Sequence, residues 1–201
     1  MPEGLPIVLP KTVYASVDVP GYPVELERRA VLADRREVFI RPIRPGDATE
    51  LRRALATADA ATLYARFLGS PPHDETSIRR LVEVDYVNRL ALVAFAPDGT
   101  GVGVARYEGG KGSSTAEVAV AVHAAWRQVG LGSLLLRELG EAALRRGICR
   151  FTALVLADNT AVLALVRASG LAFSVQIHSG TSSIVLLLDG QGPQPSDAPN
   201  D

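Results

Sequence analysis

Apolar positions along the chain switch between a period near two and a period near 3.6, and the switches predict a mixed order of strands and helices. Val24 to Val31 and Glu37 to Ile43 read as extended segments around a turn at Asp34. Asp47 then fits a helix N-cap, with Glu50 three residues on as a capping box and Leu51, Ala54 and Leu55 as the apolar stripe. A second helix is expected from Asp59, carrying Leu63, Tyr64, Phe67 and Leu68, and a third from Asp74 to about Val84. Arg89 to Ala96, a turn at Pro97-Asp98-Gly99, Val102 to Glu108, a GGKGSS loop and Thr115 to Val122 form an antiparallel meander. Leu131 to Arg146 places Leu131, Leu134, Leu135, Leu139, Ala142 and Ala143 on one helical stripe that ends at Gly147. A strand at Phe151 to Leu156, a helix at Asn159 to Ser169 ended by Gly170, and closing strands at Leu171 to Ile177 and Ser183 to Leu188 complete an α/β (α+β) pattern.

Prolines at positions 2, 6, 10, 20 and 23 predict an extended arm over residues 1–23, since each removes a donor and restricts its predecessor. Residues 190–201, GQGPQPSDAPND, bury too little to offset ordering entropy and read as a disordered tail. Residues 24–189 are then one domain. Of the 201 residues, 47% are hydrophobic, and no run reaches the length of a membrane helix or the order of a secretory signal, so a cytoplasmic protein with no membrane partner is expected. The 21 Lys and Arg are offset by 22 Asp and Glu, which argues against a nucleic-acid partner. One cysteine, Cys149, and 3 histidines imply no disulfide and no metal site.

Two neighbouring features carry the candidate chemistry. In Thr115 to Val122, Val118, Val120 and Val122 point to one face and Glu117, Ala119 and Ala121 to the other, where the small residues leave room for a ligand or a packed helix. The next loop, Arg127-Gln128-Val129-Gly130-Leu131-Gly132, runs into the long apolar helix. Glycines there let several N–H donors converge at a helix N-terminus that carries partial positive charge, an arrangement suited to a pyrophosphate. Gly110-Lys111-Gly112 breaks the Walker pattern, and Gly130 with Gly132 lacks the third glycine of a dinucleotide fingerprint.

A strand, RQVGLG and a long helix resemble the acetyl-CoA loop of the GNAT acetyltransferase superfamily, and LADNTAVLALVRASGLAF resembles its second cofactor segment. The resemblance covers about Val38 to Leu188 and implies a mixed, mostly antiparallel sheet with helices on both faces and a splay between its two central strands. VFIRPIRPGDA, LYARF, VDYVNRLALVAF, GVARY and AEVAV further resemble the bacterial Pat-type protein lysine acetyltransferases. That likeness implies acetyl-CoA as cosubstrate and Glu117 as general base. It also implies a pantetheine path along Ala119, Val120 and Ala121, a pyrophosphate grip by Arg127, Gln128, Val129, Gly130, Leu131 and Gly132, and cofactor contacts from Asn159 and Arg167. Asp85 and Tyr86 match the acceptor-side segment.

An acceptor lysine with a reference pKa near 10.4 must lose its proton before attacking a thioester, at a cost of roughly 4.6 kcal/mol at pH 7, which a positioned carboxylate can help offset. Where many relatives place a proton-donating tyrosine this chain has Val166. A thiolate with a reference pKa of about 8.5 can leave without one. His123, His73 and Cys149 read as a solvated loop residue, a helix-start residue and a packed small hydrophobe. The expected activity is acetyl transfer to a protein lysine, with a small amine as the alternative acceptor and a non-catalytic acetyl-CoA sensor as the alternative class.

Overall fold

The computed structural model describes residues 19–58, 63 and 69–190. The expected helix from Asp59, apart from Leu63, lies outside the described residues, as do residues 1–18 of the arm and 191–201 of the tail. Eight strands are described: β1 (Arg28–Val31), β2 (Glu37–Pro42), β3 (Arg89–Phe95), β4 (Gly101–Gly109), β5 (Thr115–Val122), β6 (Arg150–Leu156), β7 (Ala172–His178) and β8 (Thr181–Leu187). They form one sheet in the order β1-β2-β3-β4-β5-β6-β8-β7, in which β5 and β6 run parallel and every other pair antiparallel. Four α-helices are described: α1 (Ala48–Thr57), α2 (Glu75–Val82), α3 (Leu131–Leu144) and α4 (Thr160–Ser169).

Helices cover both faces of the N-terminal half of the sheet, which is why β3 reads RLALVAF with little alternation. Leu90, Leu92 and Ala94 join the main core with Leu131, Leu135 and Leu139 of α3. Ala91 and Val93 face the other way, into a smaller cluster with Ile43, Val82 of α2 and Ala48 and Leu51 of α1. The stripe of α3 is buried as its spacing predicts except for Leu134, which is half-buried, and Gly147, at φ +80°, turns the chain so that Ile148 N–H reaches Ala143 O at 3.0 Å. Edge strand β7 stays largely exposed, with Ile177 at 70%.

Two local expectations are corrected. Val24–Leu26 is a 3-10 turn rather than strand, and it leads into β1. Just before it, Tyr22 at the end of the expected arm is docked: its hydroxyl donates to Glu27 Oε1 at 2.6 Å, and its ring meets Tyr86 edge-on at 5.6 Å. The capping box of Asp47 and Glu50 does not form. The Asp47 carboxylate instead accepts from Arg44 N at 2.7 Å and from the buried Arg41 guanidinium at 2.8 and 2.7 Å, while Glu50 Oε1 accepts from Gly101 N at 3.0 Å. A nearby guanidinium is the stronger donor for a carboxylate, so it takes Asp47 from the helix amides. By contrast the helix expected from Asp74 forms as α2, and Asp74 caps it, accepting from Ser77 N at 2.9 Å.

Candidate active site

The centre of the sheet is open. β5 and β6 pair only at Thr115↔Arg150, Ala116↔Phe151 and Glu117↔Thr152, and then diverge. Each strand is held on its outer side, β5 by seven register pairs to β4 and β6 by seven to β8, so the two halves of the sheet follow their own twists away from the shared end. Beyond Glu117 the inner edge of β5 has no strand partner among the described residues, and backbone polar groups on such an edge need partners of another kind.

A cavity of about 90 Å³ occupies this gap, lined by Glu117 to Val120 of β5, Ala153 to Val155 of β6, Leu136 of α3 and Val162, Leu165 and Val166 of α4. The free space thus borders both faces of β5, touching Glu117 and Ala119 of the small-residue row as well as Val118 and Val120. On the neighbouring strand β4, Arg106 is paired in register with Ala119 and is itself buried. The valine face packs on the core as expected, with Val118 buried and Val120 and Val122 half-buried.

Glu117 is the last residue of β5 paired to β6, so it stands at the vertex of the gap with an exposed side chain. Directly across on β4 is Glu108. Partial burial would raise the Glu108 carboxyl, but a 2.7 Å hydrogen bond from Arg80 and the charges of Arg89, Arg80 and Arg106 outweigh it and hold it below the ordinary range. Two facing carboxylates thus have different surroundings. Glu108 is tied by arginines, and Glu117 borders the cavity.

At the other end of the gap lies the glycine-bearing loop. After β5, His123 starts a 3-10 turn, Ala124–Trp126, and accepts from Ala125 N at 3.3 Å through Nδ1. Arg127 follows, its Nε donating to Val122 O at 3.1 Å. Gln128 at φ +62° and Gly130 at φ +88° both take the left-handed conformation, which turns successive amides toward one side. Gly130 is the N-cap of α3, has no side chain with which to cap the first turn, and borders open space. No acidic residue stands in that first turn, so the positive end of the helix is left for an outside anion.

Leu131 is buried in the core and Val129 half-buried against it, so their contribution here is backbone. Gly132 has a separate reason to be glycine: a Cβ there would lie 2.6 Å from Leu165 Cδ1 of α4. Gly132→Ala is expected to displace Leu165, which lines the cavity, lowering stability by about 1 kcal/mol. Urea unfolding and calorimetry check this, and Leu165→Ala in the same chain should restore part of the loss.

Asn159 caps α4, its Oδ1 accepting from Val162 N at 3.2 Å, and Arg167 is exposed in the last turn of that helix. Val166 is buried in the cavity wall, so no proton donor stands at that position. Asp85 and Tyr86 have internal tasks. The Asp85 carboxylate accepts from Val87 N, Asn88 N, Arg89 N and Asn88 Nδ2 at 2.8 to 2.9 Å, and Tyr86, 2% exposed, donates its hydroxyl to Ile43 O. These bonds shape the entry to β3 and give neither side chain to the cavity. His73 is exposed and Cys149 half-buried, and no group of three or more metal-ligating side chains occurs among the described residues. No described helix is long and apolar enough to cross a membrane.

A sheet split between β5 and β6, a glycine-bearing turn into α3 and a carboxylate at the vertex together make up the candidate site. The acetyltransferase (GNAT) family model matches residues 58–171, and the chain belongs to that family, whose members use acetyl-CoA. It is 32% identical over 143 residues to acetyltransferase PA5475 of Pseudomonas aeruginosa, covering 69% of this chain and 77% of that protein. It is also 32% identical over 126 residues to acetyltransferase Pat of Mycolicibacterium smegmatis, covering 62% of this chain but only 38% of Pat. The crystal structure of the GNAT domain of S. lividans PAT superposes with a TM-score of 0.74 at 28% identity, over 82% of this chain and 98% of that domain.

Proposed function

We propose that this protein transfers the acetyl group of acetyl-CoA directly to an amine, with a protein lysine side chain as acceptor and Glu117 as general base. The gap between β5 and β6, with Glu117 at its vertex and the α3 loop at its open end, carries the reading. Bound there, acetyl-CoA supplies the activated acyl group.

Arg127 and the backbone of Gln128, Val129, Gly130, Leu131 and Gly132 hold the diphosphate. The helix terminus contributes up to about 2 kcal/mol, and each charge-assisted hydrogen bond about 1.5–3 kcal/mol. Backbone groups of Ala119, Val120 and Ala121, on the open edge of β5, bond the amides of the pantetheine arm. Asn159 and Arg167 flank it from α4. Glu117 takes a proton from the incoming ammonium, directly or through one water, and the neutral nitrogen bonds to the acetyl carbon as the carbon–sulfur bond breaks. Val166 supplies no proton, so the sulfur departs as thiolate; the nitrogen sheds its second proton to solvent as the amide forms, and the thiolate takes one from solvent in turn.

Likeness to the Pat-type enzymes favours a protein lysine over a small amine. Coenzyme A release measured against lysine-bearing proteins, free lysine and polyamines tests the assignment. Faster release with proteins is expected. A small amine that outperforms every protein would replace the acceptor, and saturable acetyl-CoA binding without release to any amine would make the chain a sensor.

A further inference from the structure

The hairpin of β1 and β2 reaches the α3 loop at two places and α3 itself at a third, and none of its residues lines the cavity. At its tip Arg36 is fixed by Asp34, which accepts from Arg36 N at 3.1 Å and from its Nε at 2.5 Å. Thus oriented, the guanidinium lies 4.1 Å above the Trp126 ring and donates from Nη1 to Ala125 O at 2.9 Å, clamping the 3-10 turn that precedes Arg127. One residue before Asp34, Ala33 N donates to Val129 O at 3.3 Å. Lower down, Arg28 pairs with Glu138 of α3 at 2.5 Å.

The Val129 contact has a stereochemical consequence. A trans peptide sets its C=O and N–H on opposite sides, and no cis bond occurs among the described residues, so turning Val129 O toward the hairpin turns Gly130 N–H away from it. Gln128 and Gly130, both left-handed, set the directions of the flanking amides, and the turn before them is the segment that Arg36 contacts.

We propose that Arg36 is a positioning residue for diphosphate binding: by clamping Trp126 and Ala125 it fixes the loop whose amides meet the ligand. The proposal rests on the reading of residues 127–132 as the diphosphate site. Its expected signature is selectivity for one part of the ligand.

Calorimetry of the full chain with coenzyme A, 3′-dephospho-coenzyme A and pantetheine tests it. Wild type should bind both diphosphate-bearing ligands at least about tenfold more tightly than pantetheine, the gap that about 1.4 kcal/mol represents. Arg36→Ala should weaken both of them by about tenfold and leave pantetheine within about twofold. Trp126→Ala should give the same pattern, and the double variant little further loss, since the two act through one clamp.

Equal weakening of all three ligands would make Arg36 merely structural and overturn the proposal. A loss with coenzyme A but not its dephospho form would do so too, by making Arg36 a direct contact of the 3′-phosphate. If wild type binds pantetheine as tightly as coenzyme A, the diphosphate reading itself falls, and the proposal with it. Arg36 pairs with Asp34 at the surface, where an ion pair contributes little to folding, and Arg36→Lys, which keeps the charge but not the planar stack, provides a second variant that should lose part of the selectivity.

Discussion

Glu117→Gln is expected to lower the rate of acetyl transfer by about 100-fold at neutral pH while leaving acetyl-CoA affinity within about twofold. The substitution keeps size and removes the basic oxygen. Affinity is preserved because the proposed cofactor contacts lie further along β5 and in the α3 loop. Glu108 cannot take over, although it faces Glu117 across the β4–β5 ladder, because Arg80 and Arg89 hold its carboxylate at 2.7 and 3.5 Å. The deficit should shrink as pH rises toward 10, where the acceptor lysine sheds its proton unaided. Initial rates of coenzyme A release across pH, beside calorimetry, measure both quantities. A variant as fast as wild type at pH 7 would remove Glu117 as the base.

The largest loss of stability is expected from Asp47→Ala. Its carboxylate is the bidentate partner of Arg41, whose side chain is 3% exposed and lies 4.4 Å from the Phe95 ring. Truncation leaves a buried guanidinium whose remaining partners among the described residues are Pro42 O and the aromatic face, and breaking a buried pair from one side costs about 3–5 kcal/mol. Chemical denaturation followed by circular dichroism reads the change as a lower midpoint. Arg41→Met together with Asp47→Leu should recover most of it, since a buried ion pair contributes little over an apolar pair of similar volume. If Asp47→Ala alone leaves the midpoint unchanged, the pair does not anchor α1 to β2.

Features whose cause is local were legible in the sequence. The 3.6-residue stripe of α3, the apolar strands of the meander and the helix start at Asp74 each depend on neighbours within a few positions. The candidate site was legible to the same extent: the glycine spacing between β5 and α3 marked the loop, and alternation put Glu117 on the face opposite Val118. Features set by distant partners were not. Asp47 has a cap-like sequence context, but Arg41 outcompetes the helix amides for it. Gly132 suggests a tight turn, whereas its constraint comes from Leu165 on another helix. Arg36 and Ala125 are 89 positions apart, and no periodicity joins them. The divergence of β5 from β6 was implied by the family resemblance alone and leaves no trace in either strand, because side-chain pattern reports which face is buried and is silent on which edge is paired.

That divergence also bears on mechanics. Three rungs hold the β1-to-β5 panel to the β6-β8-β7 panel, so bending about this seam meets less resistance from the backbone than bending anywhere else in the sheet. A pantetheine chain lying in the seam would add rungs where the protein has none, and the loaded enzyme would be the stiffer of the two.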